Sequence, residues 1–281
     1  MATATTSPAV LRPPAPPALP LGKLATLAHR RLTLAARTPR EVLVPLITPI
    51  FFALVIAPAL TTALHAGSAY ESYVAIGTVG LLVPLNTLFS GLSVIVDRES
   101  GAQRELLAAP VPRALLVLGN VAVALAITAL QVGVLLAAAV ARGIHFHASA
   151  SGIAWFTAAA TLFTLGMYAV AETLASRIPR QEEYIARVPV VAILPWFLAG
   201  SLFPITALPG WLAAVARALP TTHTLALLRY GVLSRGGTGL HDIWGLHSTT
   251  ADAALSLLVL TGWAVLITAA SIRVFNRSAV N

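Results

Sequence analysis

Five charged side chains lie within nine consecutive residues. Together with the apolar residues beside them, they are the best candidates for a chemical role. The charged residues are Asp97, Arg98, Glu99, Arg104 and Glu105. An apolar pair, Leu106 and Leu107, follows before prolines close the segment. Mixed charges can orient a partner protein while the leucines are buried in its groove, so the pattern indicates a docking element. From composition alone, a solvated turn explains the segment equally well.

Polar groups inside long apolar stretches form a second set of candidates. A polar stripe at helical spacing contains Asn86, Thr87, Ser90 and Ser93. These side chains either line a substrate path or form hydrogen bonds across a helix pair. The same two alternatives apply to Gln131 in the third predicted span. Glu172 is the one carboxylate within such a stretch. A charge at the bilayer centre costs roughly 2.5–3.5 kcal/mol on insertion scales. Glu172 is therefore either a contact for a substrate cation or coupling group, or an interfacial partner of an Arg.

Catalytic and metal chemistry find little support in the residues. The only lysine, Lys23, lacks the Ser/Thr and the first glycine that a phosphate-binding loop requires, so this chain should not hydrolyse ATP. There are no cysteines, and His145 and His147 have no third ligand nearby in sequence. Glu182, Glu183 and Arg187 match one motif of intramembrane proteases but lack its companion motifs. We expect no catalytic residue and no metal site.

The composition identifies the environment in which these residues must work. Apolar residues make up 57% of the 281 residues and charged residues only 10%, against roughly 25% charged in ordinary globular chains. Such a chain cannot cover its surface with charge, so it is a polytopic membrane protein. The net charge of +8 then reflects arginine-rich loops rather than nucleic-acid binding.

Six uncharged stretches are long enough to cross a bilayer core, which takes about 20 apolar residues. The predicted spans are residues 42–64, 73–96, 114–141, 152–176, 188–204 and 253–273. Prolines interrupt the chain after the fifth, which predicts a bent or re-entrant segment there. Residues 1–20 are Pro-rich and expected to be disordered, and 21–38 have the pattern of an interfacial amphipathic helix.

The arginines indicate the orientation of the spans. With the N-terminus inside, fourteen of the eighteen Lys and Arg residues fall on the inner side and four on the outer side. This positive-inside asymmetry places both termini and the charged segment at 97–113 in the cytoplasm.

With this layout, the sequence resembles a known family. Asp97-Arg98-Glu99-Ser100-Gly101, Glu105-Leu106-Leu107 and Pro110-Val111-Pro112-Arg113 resemble the cytoplasmic loop of ABC-2 type permeases, and the daunorubicin-resistance-type drug and lipid exporters are the most similar group. A second match looks like the outer re-entrant hairpin of that family. It includes Pro204, Pro209, Trp211, Pro220 and Arg229. The resemblance covers roughly residues 21–277.

The resemblance implies an all-α transmembrane domain over residues 42–276, with the interfacial helix before it. The segment around Asp97–Arg113, with Gly101 among its residues, would be a coupling helix contacted by ABC ATPases. Two permeases, identical or homologous, would pair with two ATPase subunits that bind ATP and Mg. The substrate would be an amphipathic drug, lipid or glycolipid exported across the plasma membrane. The alternative class is an ion- or proton-coupled secondary transporter, which needs intramembrane carboxylates.

Overall fold

The computed structural model describes residues 33, 43–44, 46–47, 50–99, 101, 113–147, 149–233 and 239–278. These residues form nine α-helices and no strand, which confirms the all-α class. A π-helical turn at Phe52–Ile56 leads into α1, and a 3₁₀ turn at Ile205–Ala207 lies between α5 and α6. The helices are α1 (Ala57–Ala63), α2 (Ser68–Glu99), α3 (Arg113–Ala141), α4 (Ala150–Arg177), α5 (Gln181–Leu198), α6 (Gly210–Ala218), α7 (Pro220–Val232), α8 (Leu240–Trp244) and α9 (Thr249–Ser278).

Four of these helices are long and apolar enough to cross a membrane. They are α2, α3, α4 and α9, whose apolar stretches are Ala69–Val96, Gly119–Ala141, Ala150–Arg177 and Thr249–Val274. Each overlaps a span predicted from the sequence. The first predicted span corresponds to a shorter apolar helix at Phe52–Ala63 within the described residues. The six-span layout therefore stays a prediction, while a multi-pass helical membrane protein is established. The predictions for residues 1–20 and 21–38 lie outside the described residues, apart from Thr33.

The fifth predicted span differs most from the structure. Helix α5 begins at Gln181, seven residues before the predicted start, and ends at Leu198. Its first turn contains Glu182 and Glu183, which lie before the predicted span. Carboxylates in the first turn are stabilised by the partial positive charge of the helix N-terminus, which explains how a charged segment extends the helix.

Helix α2 lies at the centre of the fold. Of its apolar stretch, 76% is buried by the rest of the chain, against 22% for α9. It packs against α3, α4, α5 and α7, whereas α9 packs mainly on α4 and α7. The apolar face of α9 includes Leu258, Val265 and Leu266, all largely exposed and available to lipid. Helix α2 is thus the most enclosed of the four long apolar helices.

Close contacts between α2 and α5 explain why the two helices stay together. Trp196 of α5 is fully buried and its Nε1 donates to the Gly77 carbonyl oxygen at 2.7 Å. Tyr184 donates its hydroxyl to the Leu88 carbonyl oxygen, also at 2.7 Å. A Cβ added at Gly91 would collide with the Tyr184 hydroxyl, so glycine is required for this approach. Small residues and polar contacts are the usual cause of helix association in membranes, where apolar contact alone gives little advantage over lipid.

We expect Trp196→Phe to lower the stability of the folded protein. The change removes a buried hydrogen bond and some packing volume, together costing about 1–3 kcal/mol. The midpoint of thermal unfolding in detergent should fall accordingly. Trp211→Phe is the matched control, because Trp211 is 70% exposed and the chemical change is the same. Equal midpoints for the two variants would contradict the role given to the Trp196 bond.

Candidate functional site

Arg98, in the last turn of α2, lies against the C-terminal end of α4. Its guanidinium donates to three backbone carbonyl oxygens, with Nη1 at 3.0 Å from Ala175 and Nη2 at 2.7 Å from Ile178 and 3.1 Å from Pro179. The last carbonyls of a helix have no partner within the helix, and a cation there also interacts favourably with the helix dipole. Arg98 therefore caps the C-terminus of α4.

The sequence explains why α4 ends at this place. A residue that precedes proline is disfavoured in helical geometry, and Ile178, which precedes Pro179, is extended with φ −97° and ψ 120°. The chain resumes as a helix at Gln181. The short connection at 178–180 therefore presents open carbonyls beside Arg98, and the charge on Arg98 matches them.

Glu99 extends the same contact to α5. Its Oε2 accepts a hydrogen bond from Nε2 of Gln181, the first residue of α5, at 2.6 Å. Gly101 follows with φ +80°, a conformation that glycine adopts without strain, so the chain turns away from α2 directly after these contacts. Two adjacent residues of α2 consequently hold the end of one helix and the start of the next.

These contacts involve two of the eight residues that the sequence analysis assigns to the coupling segment. The structure brings Arg98 and Glu99 together with the α4–α5 connection, which sequence reasoning missed as their partner. Asp97 lies in the final turn of α2, and its side chain is not described. The remaining predicted coupling residues, Arg104, Glu105, Leu106 and Leu107, lie outside the described residues.

The polar residues within the spans occupy separate positions. Asn86 of α2 donates to the Thr128 hydroxyl of α3 at 2.7 Å, and both are buried, so this member of the stripe bonds across a helix pair. Ser90 is half-buried and donates to the Thr87 carbonyl oxygen within its own helix at 2.8 Å. Gln131 is buried one turn along α3 from Thr128. A substrate path along these residues stays a prediction.

Glu172 is more enclosed than an interfacial position requires. Its side chain is only 2% exposed, and Tyr168, one turn earlier in α4, donates its hydroxyl to Oε2 at 3.2 Å. The neighbouring Ala171 contacts the position where Gly91 of α2 and Tyr184 of α5 meet. The carboxyl group therefore lies inside the helix bundle, close to where α2, α4 and α5 converge.

After α5 the chain forms two helices that are too short to cross a bilayer. Helix α6 has 9 residues and α7 has 13, which is about 20 Å at most against an apolar core of about 30 Å. Prolines lie at the starts of the short elements in this segment, as expected from the bent segment that the sequence predicts. Pro204 precedes the 3₁₀ turn, Pro209 precedes α6, and Pro220 is the first residue of α7, where its missing N–H has no cost. Trp211 points outward from α6.

Arg229 of α7 is a charged group buried within this region. Its side chain is 2% exposed, and its guanidinium lies 3.3 Å from the centre of the Tyr73 ring. Nη2 donates to the Ser201 carbonyl oxygen at 3.0 Å and, at 3.3 Å, to that of Tyr73. A small cavity of about 10 Å³, large enough for one water, adjoins the group and is also lined by Asp242. Sequence reasoning selected Arg229 but missed Tyr73 and Ser201.

Long apolar helices around a buried polar centre define a multi-pass membrane protein, and comparison with known proteins gives its family. The model of the ABC-2 type transporter family matches residues 23–233. The chain belongs to this family. Its members are transmembrane subunits of ABC transporters, which in general work with ABC ATPases.

A weaker similarity links the chain to one curated protein. The putative transport permease ycf38 of Porphyra purpurea is 24% identical over 164 residues, which are 58% of this chain and 56% of that relative. The chain thus spans little more than half the length of the relative. The similarity to daunorubicin-resistance-type exporters stays a prediction.

We expect Arg98→Gln to loosen the connection between α4 and α5. The variant loses charged hydrogen bonds to three carbonyls, and a bond to a charged group contributes about 1.5–3 kcal/mol. Amide hydrogen exchange over residues 175–184 should accelerate by more than about tenfold if opening there is local. Arg177→Gln, an exposed arginine one residue from the same helix end, is the control and should leave exchange unchanged. Similar protection in both variants would contradict the capping role of Arg98.

Proposed function

We propose that this chain is the permease subunit of an ATP-driven exporter, and that its segment 97–113 receives the movement of separate ATPase subunits. The observation that carries the proposal is the pair of contacts made by Arg98 and Glu99. A force applied to the segment just after Glu99 acts on α2 directly and on α4 and α5 through these bonds. Three helices would then move together.

The division of labour between subunits follows from the sequence and the family. The chain has no phosphate-binding loop, so ATP and Mg would be bound by the partner ATPases. Two permeases, identical or homologous, would pair with two ATPases. The positive-inside distribution supports an orientation with the segment 97–113 and both termini in the cytoplasm, and the membrane we propose is the plasma membrane.

An amphipathic drug, lipid or glycolipid is the substrate class that fits the chain best. The apolar spans and the exposed apolar face of α9 favour a molecule that partitions into the membrane. Such a substrate would enter from the inner leaflet or the cytosol and leave at the outer side through the interface between the permeases.

One observation favours a second candidate, an ion- or proton-coupled secondary transporter. Glu172 is buried in a membrane-spanning helix, and ionisable groups in that position often take part in ion or proton movement. The two candidates differ in their energy source. Transport into vesicles that requires ATP and persists when ion gradients are collapsed supports the exporter, and the reverse result supports the secondary transporter.

We expect the double variant Glu99→Ala/Leu106→Ala to uncouple ATP hydrolysis from transport. The chain should still insert in the membrane, but transport driven by ATP should fall by about tenfold or more, a typical size for coupling between sites. The measurement is substrate flux and ATPase turnover of the complex, purified through a tag on the permease. The control is Glu71→Ala/Leu266→Ala, which makes the same two changes away from the segment.

Two outcomes would contradict the proposal. Unchanged transport by the double variant would remove the coupling role of the segment. Purification of the wild-type chain without any ATPase, with no effect of nucleotide on transport, would remove the ATP-driven exporter itself.

A further inference from the structure

Helices α2 and α5 run antiparallel, and hydrogen bonds join α2 to α5 or to the turn after it at four levels. Side-chain contacts recur at four levels from the Glu99 end to the opposite end, which we call the Tyr73 end. They are Glu99 with Gln181 at 2.6 Å, Tyr184 with the Leu88 carbonyl at 2.7 Å, Trp196 with the Gly77 carbonyl at 2.7 Å, and the Tyr73 hydroxyl with the Gly200 carbonyl at 2.7 Å.

The geometry of these contacts resists sliding. Three of the four join a side-chain donor to a backbone carbonyl, so relative movement of one helix would leave polar groups without partners in a region that lacks water. At Gly77 the backbone of α2 also touches the Ser201 carbonyl so closely that no Cβ would fit. The α2–α5 pair is therefore a rigid unit that reaches from the proposed coupling segment to the Tyr73 end.

Arg229 joins this unit to the next part of the chain. It belongs to α7, but its guanidinium bonds to Tyr73 of α2 and to Ser201 of the turn that follows α5. Separation of α7 from the pair would leave a buried cation without its carbonyls and without the Tyr73 ring, which is strongly unfavourable in the membrane.

Helix α7 is also bonded to other helices around it. Thr222 donates to the Ala216 carbonyl of α6 at 2.6 Å, and Tyr230 pairs with Thr250 of α9 at 3.3 Å. The backbones of Gly231 and Gly152 meet where a Cβ on either would collide, which fixes α7 against α4. A displacement delivered to α7 therefore extends to the whole hairpin formed by α6 and α7.

We infer that Arg229 is a positioning residue through which motion of the α2–α5 pair reaches the α6–α7 hairpin. The inference rests on the proposed function, because it needs a movement that begins at the segment 97–113. Arg229 carries that movement mechanically, as the bonded contact between two rigid units. Its loss should weaken the connection, so that the Glu99 end still responds fully to nucleotide while the hairpin responds less, through the remaining contacts of α7 with α2 and α4.

The test uses distances between paired spin labels, for which a chain without cysteines is well suited. Label pair one, Ala186→Cys with Ala270→Cys, reports α5 against α9 near the Glu99 end. Label pair two, Ala214→Cys with Ala141→Cys, reports α6 against α3 near the Tyr73 end. All four positions are exposed. Distances are measured in the complex with its ATPase, without nucleotide and after trapping with ATP and vanadate.

In the otherwise unchanged chain, trapping should shift both label pairs. With Arg229→Met added, pair one should shift as before and pair two should shift much less. The amount of substrate transported per ATP hydrolysed should fall by about tenfold, while ATPase turnover is retained. Arg217→Met is the control, because Arg217 is an exposed arginine of the same hairpin, and both pairs should shift in it.

Each other outcome has a distinct meaning. A full shift of pair two in Arg229→Met would overturn the role of Arg229, whereas no shift of either pair in the otherwise unchanged chain would overturn the proposed function. If Arg229→Met does not fold, Arg229→Lys decides the question. Lysine keeps the charge but cannot bond both carbonyls with a planar fork. A reduced shift of pair two alone supports the inference, and an unreduced shift contradicts it.

Discussion

Backbone carbonyls at the ends of helices need hydrogen-bond donors, and in this membrane protein two arginines donate to such carbonyls. Arg98 satisfies the end of α4, and Arg229 satisfies the turn beyond α5. The Ser201 carbonyl is buried, so leaving it without a donor would cost free energy, whereas the carbonyls beside Arg98 lie at a partly exposed helix end. The two arginines act at opposite ends of α2, the most enclosed of the four long apolar helices. Their bonds fix where the neighbouring helices end and turn.

The distribution of polar and apolar contacts follows the same constraint. The outer helices expose apolar side chains such as Leu258 and Val265, for which lipid is as favourable a neighbour as protein. Specific association must therefore come from glycine contacts and hydrogen bonds, which are concentrated on α2, α5 and α7. The structure is held together from a polar centre, while its perimeter is adapted to the bilayer.

The sequence predicted the parts of this arrangement that depend on local pattern. Uncharged stretches located α2, α3, α4 and α9, and the cluster of charges selected Arg98 and Glu99. The predicted fifth span began seven residues after the start of α5, because charged residues from Glu182 to Arg187 precede the uncharged stretch. The resemblance to a family, rather than any periodicity, selected Arg229.

The contact partners could not be predicted in the same way. Tyr73 lies 156 residues from Arg229, and Gly77 lies 119 residues from Trp196. Periodicity shows which face of a helix is apolar, but it does not show which helix will be its neighbour. Gly77 and Gly91 carry no side chain that a pattern could detect, yet they decide how closely α2 and α5 approach.

The polarity of α7 has a consequence for the order in which the chain is assembled. All twelve residues from Thr221 to Val232 are buried, and they include His223, three threonines and Arg229. A nascent helix of this composition would be unstable in lipid by itself, because an arginine alone costs roughly 2.5–3.5 kcal/mol at the bilayer centre. Its covering includes α9, which the ribosome makes later. The partners of Arg229, Tyr73 and Ser201, come earlier in the chain and are already made when α7 is made, so α9 is the last helix to cover α7.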